Sequence, residues 1–258
     1  MTYALSLDHV CYTYHSLKQE TPALHNVSFH IKSGEFVAVV GPSGCGKSTL
    51  LHLIARLLSL DSGEILINGY PLVISKEKVG YMLQNDQLLP WKTIYENAVL
   101  GLKIQKIRDP AAYERVEHLL TSYGLEDFRD SYPDQLSGGM RQRAALIRTL
   151  ALSPDILLLD EPFSALDYQT RLNVSNDIGT IIKKEHKTAL LVTHDLSEAV
   201  SMADRVIVLT RRPGTVKSII PIHLSCPERT PKNARKLAMV SVSVMPMWKN
   251  RLWSFSIV

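Results

Sequence analysis

Short apolar runs separated by glycines fill the first third of the chain. Their composition predicts β-strands at residues 5–10, 27–31, 35–40, 64–67 and 79–83. One helix interrupts these strands. It begins near Gly46, and its leucine and isoleucine residues recur on one face at helical spacing.

From about residue 93 the apolar pattern becomes helical. Thr93 and Glu96 have the spacing of a capping box, and Asp109 precedes a proline at a first helical position. Strands return further along, at residues 156–160, 189–193 and 206–209. A helix near residues 168–185 separates the first two. Alternating strands and helices predict an α/β fold with a largely parallel sheet covered on both faces, into which a helical segment around residues 88–150 is inserted.

Composition sets outer limits on the class of protein. The 258 residues are 45% hydrophobic and 21% charged, a balance that excludes a disordered or fibrous chain. The longest apolar run has five residues, at 36–40, whereas a membrane span needs about 20. The three cysteines, Cys11, Cys45 and Cys226, are too scattered for a disulfide framework or a zinc site. The N-terminus lacks a secretory pattern, so we expect a soluble, cytoplasmic protein.

Charge is distributed unevenly. The chain holds 29 basic residues (Lys and Arg) and 25 acidic residues (Asp and Glu). Residues 211–258 contain nine of the basic residues but only one acidic residue, Glu228. The remaining body is therefore slightly acidic, which argues against a nucleic-acid partner. We expect residues 221–258 to form a solvated, poorly ordered basic tail, although contact with anionic lipid headgroups is an alternative.

The strongest chemical signal is GPSGCGKST, at residues 41–49. It fits the pattern G-x-x-x-x-G-K-[ST] and lies between an apolar strand and a helix. In such a loop, backbone N–H groups surround the β-phosphate and the helix N-terminus adds positive potential. Lys47 can reach the β- and γ-phosphates, and the Ser48 hydroxyl can ligate Mg²⁺. The predicted nucleotide-binding residues are Gly41, Pro42, Ser43, Gly44, Cys45, Gly46, Lys47, Ser48 and Thr49.

A second signal is ILLLDE, at residues 156–161, an apolar strand that ends in two carboxylates. Asp160 can complete a Mg²⁺ shell beside Ser48, and Glu161 can polarise an attacking water. Buried strands often end in acidic turn residues, so alone this pattern is ambiguous. The phosphate loop in the same chain favours the functional interpretation.

A third signal is LSGGMRQR, at residues 136–143, which opens a helix. Ser137 at the N-cap, followed by Gly138 and Gly139 with bare amides, predicts a second anion-binding helix terminus. An ordinary helix cap is the alternative. Because a second phosphate cradle is redundant inside one active site, we interpret it as serving a nucleotide bound to another subunit.

Together these segments resemble one family. They occur in the order and spacing of the ATPase subunits of ATP-binding cassette (ABC) transporters, over about residues 3–220. The quoted motifs are GPSGCGKST, Gln84, LSGGMRQR, ILLLDE, SALD (residues 164–167) and His194. The resemblance implies a P-loop NTPase (RecA-like) core with an antiparallel β subdomain and the helical insertion, in one domain of residues 1–220. Met140 replaces the glutamine of most cassettes, and residues 221–258 do not resemble the family's ending.

The resemblance also implies roles for single residues. Tyr14 takes the position of an aromatic side chain that stacks on adenine; on an edge strand with alternating faces, the alternative is that Tyr12 or Tyr14 packs on the sheet. Gln84 links Mg²⁺ and the attacking water to the transporter interface. His194 contacts the γ-phosphate, and Asp167 bridges two protomers.

Finer features are similar to the nitrate, sulfonate and taurine importer group. These are QLLPW at residues 87–91, Met140 and EPFSALD. The helix-breaking Pro90 makes it difficult for Leu89 and Trp91 both to reach a helical core. We therefore expect these two side chains to line a groove for a short partner helix, with a place in the core as the alternative.

The resulting hypothesis is a peripheral ATPase on the cytoplasmic face of the membrane that energises import of a small solute. It implies ATP and Mg²⁺, a head-to-tail homodimer that forms with ATP, integral membrane permease subunits and, indirectly, a solute-binding protein. Three alternatives remain open. The first is a soluble cassette ATPase that acts on nucleic acid or ribosomes. The second is a small-molecule kinase, but that interpretation leaves LSGG and His194 unexplained. The third is a non-catalytic regulator, which is expected to lack a carboxylate at the position of Glu161.

Overall fold

Two β-sheets organise the chain. A computed structural model describes residues 3–16, 19–76 and 78–222. The strands are β1 (Leu5–His15), β2 (Glu20–Ile31), β3 (Phe36–Val40), β4 (Ser62–Ile67), β5 (Tyr70–Pro71), β6 (Val79–Met82), β7 (Ile156–Asp160), β8 (Thr188–Val192), β9 (Arg205–Leu209) and β10 (Val216–Pro221). The helices are α1 (Lys47–Ile54), α2 (Ile94–Ala98), α3 (Leu100–Ile104), α4 (Pro110–Ser122), α5 (Gly138–Leu150), α6 (Tyr168–Lys184) and α7 (Leu196–Met202), with 3₁₀ turns at Glu126–Phe128 and Pro133–Gln135.

The larger sheet has the order β10-β9-β3-β8-β7-β6, and all its strands run parallel except β10. Its central strands are buried on both faces, which is why they read as continuous apolar runs. In β3, Phe36 and Ala38 belong to a core shared with helices α2 to α7, whereas Val37 and Val39 belong to a core shared with α1. The predicted parallel sheet, covered on both faces, is confirmed.

The smaller sheet is antiparallel, with the order β2-β1-β4-β5. It packs over α1, so leucines of that helix share a core with both sheets. β1 and β2 extend beyond the predicted strands, and Tyr14 pairs with Thr21 in this extension. The expectation that β1 is an edge strand was wrong, because it lies between β2 and β4. However, β4 pairs with β1 only as far as Cys11.

Helices α2 to α5 lie between β6 and β7 in the sequence and cover the face of the large sheet that is opposite α1. The capping box is present: Glu96 N–H donates to Thr93 Oγ1 at 3.2 Å, and Thr93 N–H donates to Glu96 Oε2 at 3.0 Å. Asp109 caps α4, as predicted. Helix begins at residue 94, inside the predicted 88–150 insertion.

The chain's last described strand, β10, ends at Pro221. Almost all of the predicted basic tail, including Cys226, lies outside the described residues. In the described ranges Cys11 and Cys45 are free thiols, and no helix there has the length and apolar character to cross a membrane.

Candidate functional site

The predicted chemical groups converge because four parallel strands end at the same edge of the large sheet. β3 leads into the phosphate loop, β7 ends at Asp160, β8 precedes His194 and β6 precedes Gln84. These strands are neighbours in the order β3-β8-β7-β6. The carboxyl ends of parallel strands are the usual location of ligand sites in α/β folds.

The phosphate loop turns sharply at Gly46, which caps α1 with φ of 101°. A Cβ at this residue would lie 2.7 Å from Leu24 Cδ2 and 2.8 Å from the Ala23 carbonyl oxygen, so only glycine fits. Lys47 lies across the loop, where its ammonium donates to the carbonyl oxygens of Gly41 (3.0 Å) and Pro42 (3.1 Å). The ammonium is therefore held where phosphates bind in such loops.

Cys45 was predicted as a nucleotide-binding residue on its position in the loop. Its side chain is buried in the core beneath α1, and this burial raises the pKa of the thiol. Cys45 can therefore offer a nucleotide only its backbone.

A cleft of about 300 Å³ lies over the loop. Tyr14 forms one wall, and its hydroxyl is hydrogen-bonded to Thr49 Oγ1 at 3.0 Å. Tyr12 packs its ring edge-on to that of Tyr14, with the centroids 4.9 Å apart, and contacts the core. Of the two candidate tyrosines, Tyr14 faces the cleft. Its lining residues are Tyr14, Ala23, Ser43, Gly44, Gly46, Lys47, Ser48, Thr49, Glu161 and Arg212.

Asp160 and Ser48 meet beside this cleft. Ser48 Oγ donates to Asp160 Oδ1 at 3.2 Å, and the Tyr81 hydroxyl donates to Oδ2 at 3.1 Å. Burial raises the pKa of Asp160, and the two hydrogen bonds oppose that rise. A hydroxyl and a carboxylate next to a phosphate loop are oxygen ligands that Mg²⁺ prefers, so this pair fits the ion. The role of Tyr81 was not anticipated from the sequence.

Glu161 follows β7 in a left-handed conformation, with φ of 44°. Its backbone N–H donates to the Val192 carbonyl oxygen at 2.8 Å, and its carboxylate is hydrogen-bonded to His194 Nδ1 at 3.0 Å. Glu161 lines the cleft. His194 lies two residues beyond β8 rather than at the strand's end. The pair therefore places a carboxylate and an imidazole together near the phosphate loop.

Gln84 does not line the cleft, and no contact joins it to Ser48 or Asp160 among the described residues. Its amide instead donates to Ser164 Oγ at 3.4 Å, and that hydroxyl donates to the Glu161 carbonyl oxygen at 3.0 Å. The structure thus links Gln84 to the turn that carries Glu161, rather than to the predicted metal ligands.

The N-terminus of α5 lies apart from the cleft. Ser137 caps the helix and accepts from Met140 N–H at 3.3 Å. Gly138 packs against Leu166, and Gly139 against α6. Neither Ser137 nor the two glycines line the cleft of their own chain.

A family model described as "ABC transporter" matches residues 24–164, more than half of the chain. The chain belongs to the ABC transporter family. This ABC ATPase is 44% identical to the uncharacterized ABC transporter ATP-binding protein YtlC of Bacillus subtilis, over 95% of this chain and 94% of that protein. It is 43% identical to the nitrate import ATP-binding protein NrtD of Synechocystis sp., over 82% of this chain and 79% of that protein.

Solved structures agree with this assignment. A dimeric structure of the ATP-binding cassette MJ0796, in a post-hydrolysis state bound to ADP and Pi, superposes with a TM-score of 0.72 at 33% identity. The match covers 85% of this chain and 99% of that one. The expected ATPase and its P-loop fold with an antiparallel sheet and helical elements are therefore confirmed.

One network in this ABC ATPase was missed from the sequence. Arg171 of α6 donates to the Leu166 carbonyl oxygen at 2.8 Å and forms ion pairs with Asp195 (3.8 Å) and Glu198 (4.0 Å). Thr193 Oγ1 donates to Glu198 Oε2 at 2.6 Å. The network connects the turn after Glu161 to the turn that carries His194. One of its two acidic members, Glu198, occurs in the amphipathic sequence of α7 without any local signal of burial.

Glu198 predicts a pH dependence of stability. Burial raises its pKa from 4.5 to about 7. The hydrogen bond from Thr193 is the largest opposing cause, Asp195 adds to the rise, and Arg171 and His194 also oppose it. A raised acid pKa means that the folded chain binds the proton more tightly, so the stabilisation is complete below about pH 4.5 and is lost as pH rises towards 7. At about 1.4 kcal/mol per pKa unit, the loss is about 3 kcal/mol.

Glu198→Gln should remove this contribution. We expect the free energy of unfolding, measured by denaturant titration at pH 5 and pH 8, to fall less with pH in the variant than in the wild type. Glu126→Gln, in an exposed turn, is the control and should retain the wild-type difference. Equal pH dependence in Glu198→Gln and the wild type would contradict the assignment.

Proposed function

We propose that this chain is the ATP-hydrolysing subunit of a membrane importer for a small solute of the nitrate, sulfonate or taurine type. The observation that carries the enzymatic part is the Glu161–His194 pair, at 3.0 Å, beside a cleft that also contains Lys47 and Ser48. The importer part is supported by the QLLPW segment and by the similarity to a nitrate import ATP-binding protein.

In the proposed mechanism, the ring of Tyr14 stacks on adenine and the amides of residues 43–49 bind the phosphate chain. Lys47 neutralises the β- and γ-phosphates. Ser48 and Asp160 would hold Mg²⁺, which when bound would supply charge neutralisation at the phosphate oxygens. The protein contributes mainly positioning and electrostatic stabilisation, because phosphoryl transfer to water needs little covalent chemistry.

The reacting water is handled by Glu161 in this scheme. Its carboxylate accepts a hydrogen bond from the water and aligns it with the γ-phosphate. His194 holds the carboxylate through Nδ1, and we assign contact with the γ-phosphate to its other ring nitrogen. Gln84 is hydrogen-bonded to Ser164, which is hydrogen-bonded to Glu161, so a movement of the Glu161 turn is transmitted to the segment that follows β6.

Two copies are proposed to dock head to tail when ATP binds. Residues 137–139 of one subunit then contact the γ-phosphate in the cleft of the other, and Asp167 lies between the protomers. The proposal is supported by the position of this helix terminus outside its own cleft. Closure of the dimer drives the permease subunits, and hydrolysis resets it.

Contact with the permease is assigned to the segment around Trp91, whose side chain is 70% exposed. A buried residue, Asn97, fixes the segment. Its amide oxygen accepts from Leu89 N–H at 2.8 Å, and its amide nitrogen lies within hydrogen-bonding distance of the carbonyl oxygens of Leu89, Lys92 and Thr93. The exposed indole is thus carried by a segment whose backbone is hydrogen-bonded to a buried side chain, and tryptophan is one of the residue types enriched at interface hot spots. An exposed anchor of this kind supports the proposal that the subunit is a peripheral protein at the cytoplasmic face of the membrane.

Trp91→Ala should leave the isolated subunit folded, with near-normal ATP binding, but weaken its assembly with membrane subunits. Truncation of an interface anchor typically reduces binding by about 2 kcal/mol. The measurement is the amount of integral membrane protein that co-purifies with the tagged subunit, together with the coupling of ATP hydrolysis to solute uptake.

Leu88→Ala is the matched control, because Leu88 is buried in the same segment. That change should lower the melting temperature markedly, since it removes core contacts worth about 2–5 kcal/mol. Trp91→Ala should not. If the Trp91→Ala variant assembles with membrane subunits as well as the wild type does, Trp91 is not part of the interface. If ribosomes or nucleic acid co-purify in place of a membrane protein, the proposed function is overturned.

A further inference from the structure

Arg212 lines the nucleotide cleft although no motif contains it. It belongs to the loop of residues 210–215, which connects β9 to β10 and is called here the Arg212 loop. More than 160 residues separate it in sequence from the phosphate loop. Its side chain is exposed, yet it reaches the same cleft as Tyr14 and Lys47.

The backbone of the Arg212 loop is hydrogen-bonded to the strand residues beside the cleft. Gly214 N–H donates to the Ala23 carbonyl oxygen at 2.9 Å, and its own carbonyl accepts from His25 N–H at 3.0 Å. A Cβ on Gly214 would lie 2.2 Å from the Cys45 carbonyl oxygen, so the loop backbone contacts the phosphate loop directly. This close approach requires glycine.

The other side of the loop is fixed by Thr210. Its hydroxyl accepts from Thr215 N–H at 2.9 Å and lies within hydrogen-bonding distance of the carbonyl oxygens of Arg211 (3.1 Å) and Pro213 (3.3 Å), the two neighbours of Arg212. The loop therefore has hydrogen bonds on both flanks of Arg212. The backbone that carries Arg212 is therefore held at the cleft on both sides of this residue.

The chemistry of the side chain suits a phosphate. An arginine guanidinium remains charged at all physiological pH values and offers a planar set of donors that matches phosphate oxygens. Among the described residues, no hydrogen bond or ion pair occupies the Arg212 side chain. The adjacent cleft contains the loop that the proposed function assigns to the ATP phosphates.

We propose that Arg212 is a nucleotide-binding residue that contacts the phosphate chain of ATP in the cleft. The inference rests on the proposed function and adds to it a cation supplied by the β9–β10 connection. Arg212 acts on binding of both ATP and ADP, since the Arg212 loop contacts the phosphate loop at Cys45 rather than the Glu161–His194 pair.

The test compares nucleotide affinity in Arg212→Gln, Arg212→Lys and Arg211→Gln. Arg211 is the control, because it is an exposed neighbour in the same loop that does not line the cleft. We expect Arg212→Gln to bind ATP and ADP about tenfold more weakly, the effect of one charge-assisted hydrogen bond. Arg212→Lys should lose less, and Arg211→Gln should match the wild type.

Adenosine, used as a competitor, separates phosphate contact from a general effect on the cleft. Its affinity should be unchanged in Arg212→Gln, and the loss for ATP should shrink at high salt because charge–charge attraction is screened. Wild-type ATP affinity in Arg212→Gln, or an equal loss for adenosine, would overturn the inference. Absence of ATP binding by the wild type would instead contradict the proposed function, and the inference with it.

Discussion

Replacing Glu161 by glutamine is expected to reduce ATP turnover by about 10²–10⁴-fold, the usual contribution of a general base, while ATP binding persists. Glutamine has nearly the same shape as glutamate but lacks the negative charge that polarises the attacking water. The backbone geometry at this position, with φ of 44° and a hydrogen bond from its N–H to the Val192 carbonyl, does not depend on the side-chain charge. The change therefore isolates the carboxylate.

The variant should also accumulate as an ATP-bound dimer, because the closed state can form but cannot reset. Size-exclusion chromatography with and without Mg-ATP measures this, alongside phosphate release under saturating ATP. Glu126→Gln carries the same change of charge in an exposed turn and should behave as the wild type. Hydrolysis by Glu161→Gln at the wild-type rate would eliminate Glu161 as the base.

Features with a local cause were predictable from the sequence. The phosphate loop is one, because a strand, a glycine-rich turn and a helix follow one another within residues 36–54. The helix caps at Thr93, Asp109 and Ser137 are others, since each depends on hydrogen bonds within three residues. The convergence of Asp160 with Ser48 was also predictable, because parallel strands present their carboxyl ends at one edge.

Features that depend on contacts between distant segments were not predictable. The Arg212 loop reaches the cleft only because Gly214 docks on Ala23 and Cys45, and nothing in the local pattern encodes that approach. Glu198 reads as an ordinary polar residue of α7, yet tertiary packing buries it against Arg171.

The two tyrosines of β1 show the same limit at shorter range. Tyr12 and Tyr14 are two residues apart, so the alternation of strand faces gives both the same direction. Register shifts within the β1–β2 pairing, and the end of β4 pairing at Cys11, decide which ring reaches the cleft. These irregularities arise from the partner strands, and the residues of β1 alone do not specify them.

Replacing Ser137 by arginine is expected to reduce hydrolysis by about 10²–10³-fold, the effect of losing a preorganised donor to a developing charge. ATP affinity of the monomer should be nearly unchanged, because Ser137 does not line the cleft of its own chain. ATP turnover and monomer binding are measured separately. Ser122→Arg, which adds the same charge to the exposed end of α4, is the control and should retain turnover.

Mixing two inactive variants tests the head-to-tail arrangement. In a mixed dimer of Ser137→Arg and Lys47→Ala, the phosphate loop of the first subunit meets the intact residues 137–139 of the second, so one composite site is complete. The other site carries both substitutions. We expect the mixture to hydrolyse ATP faster than either variant alone. Size exclusion should also recover one bound nucleotide per mixed dimer, a result that holds even if turnover requires both sites. Failure to recover either activity or that dimer would mean that each helix terminus serves its own subunit, and the two-subunit site would have to be abandoned.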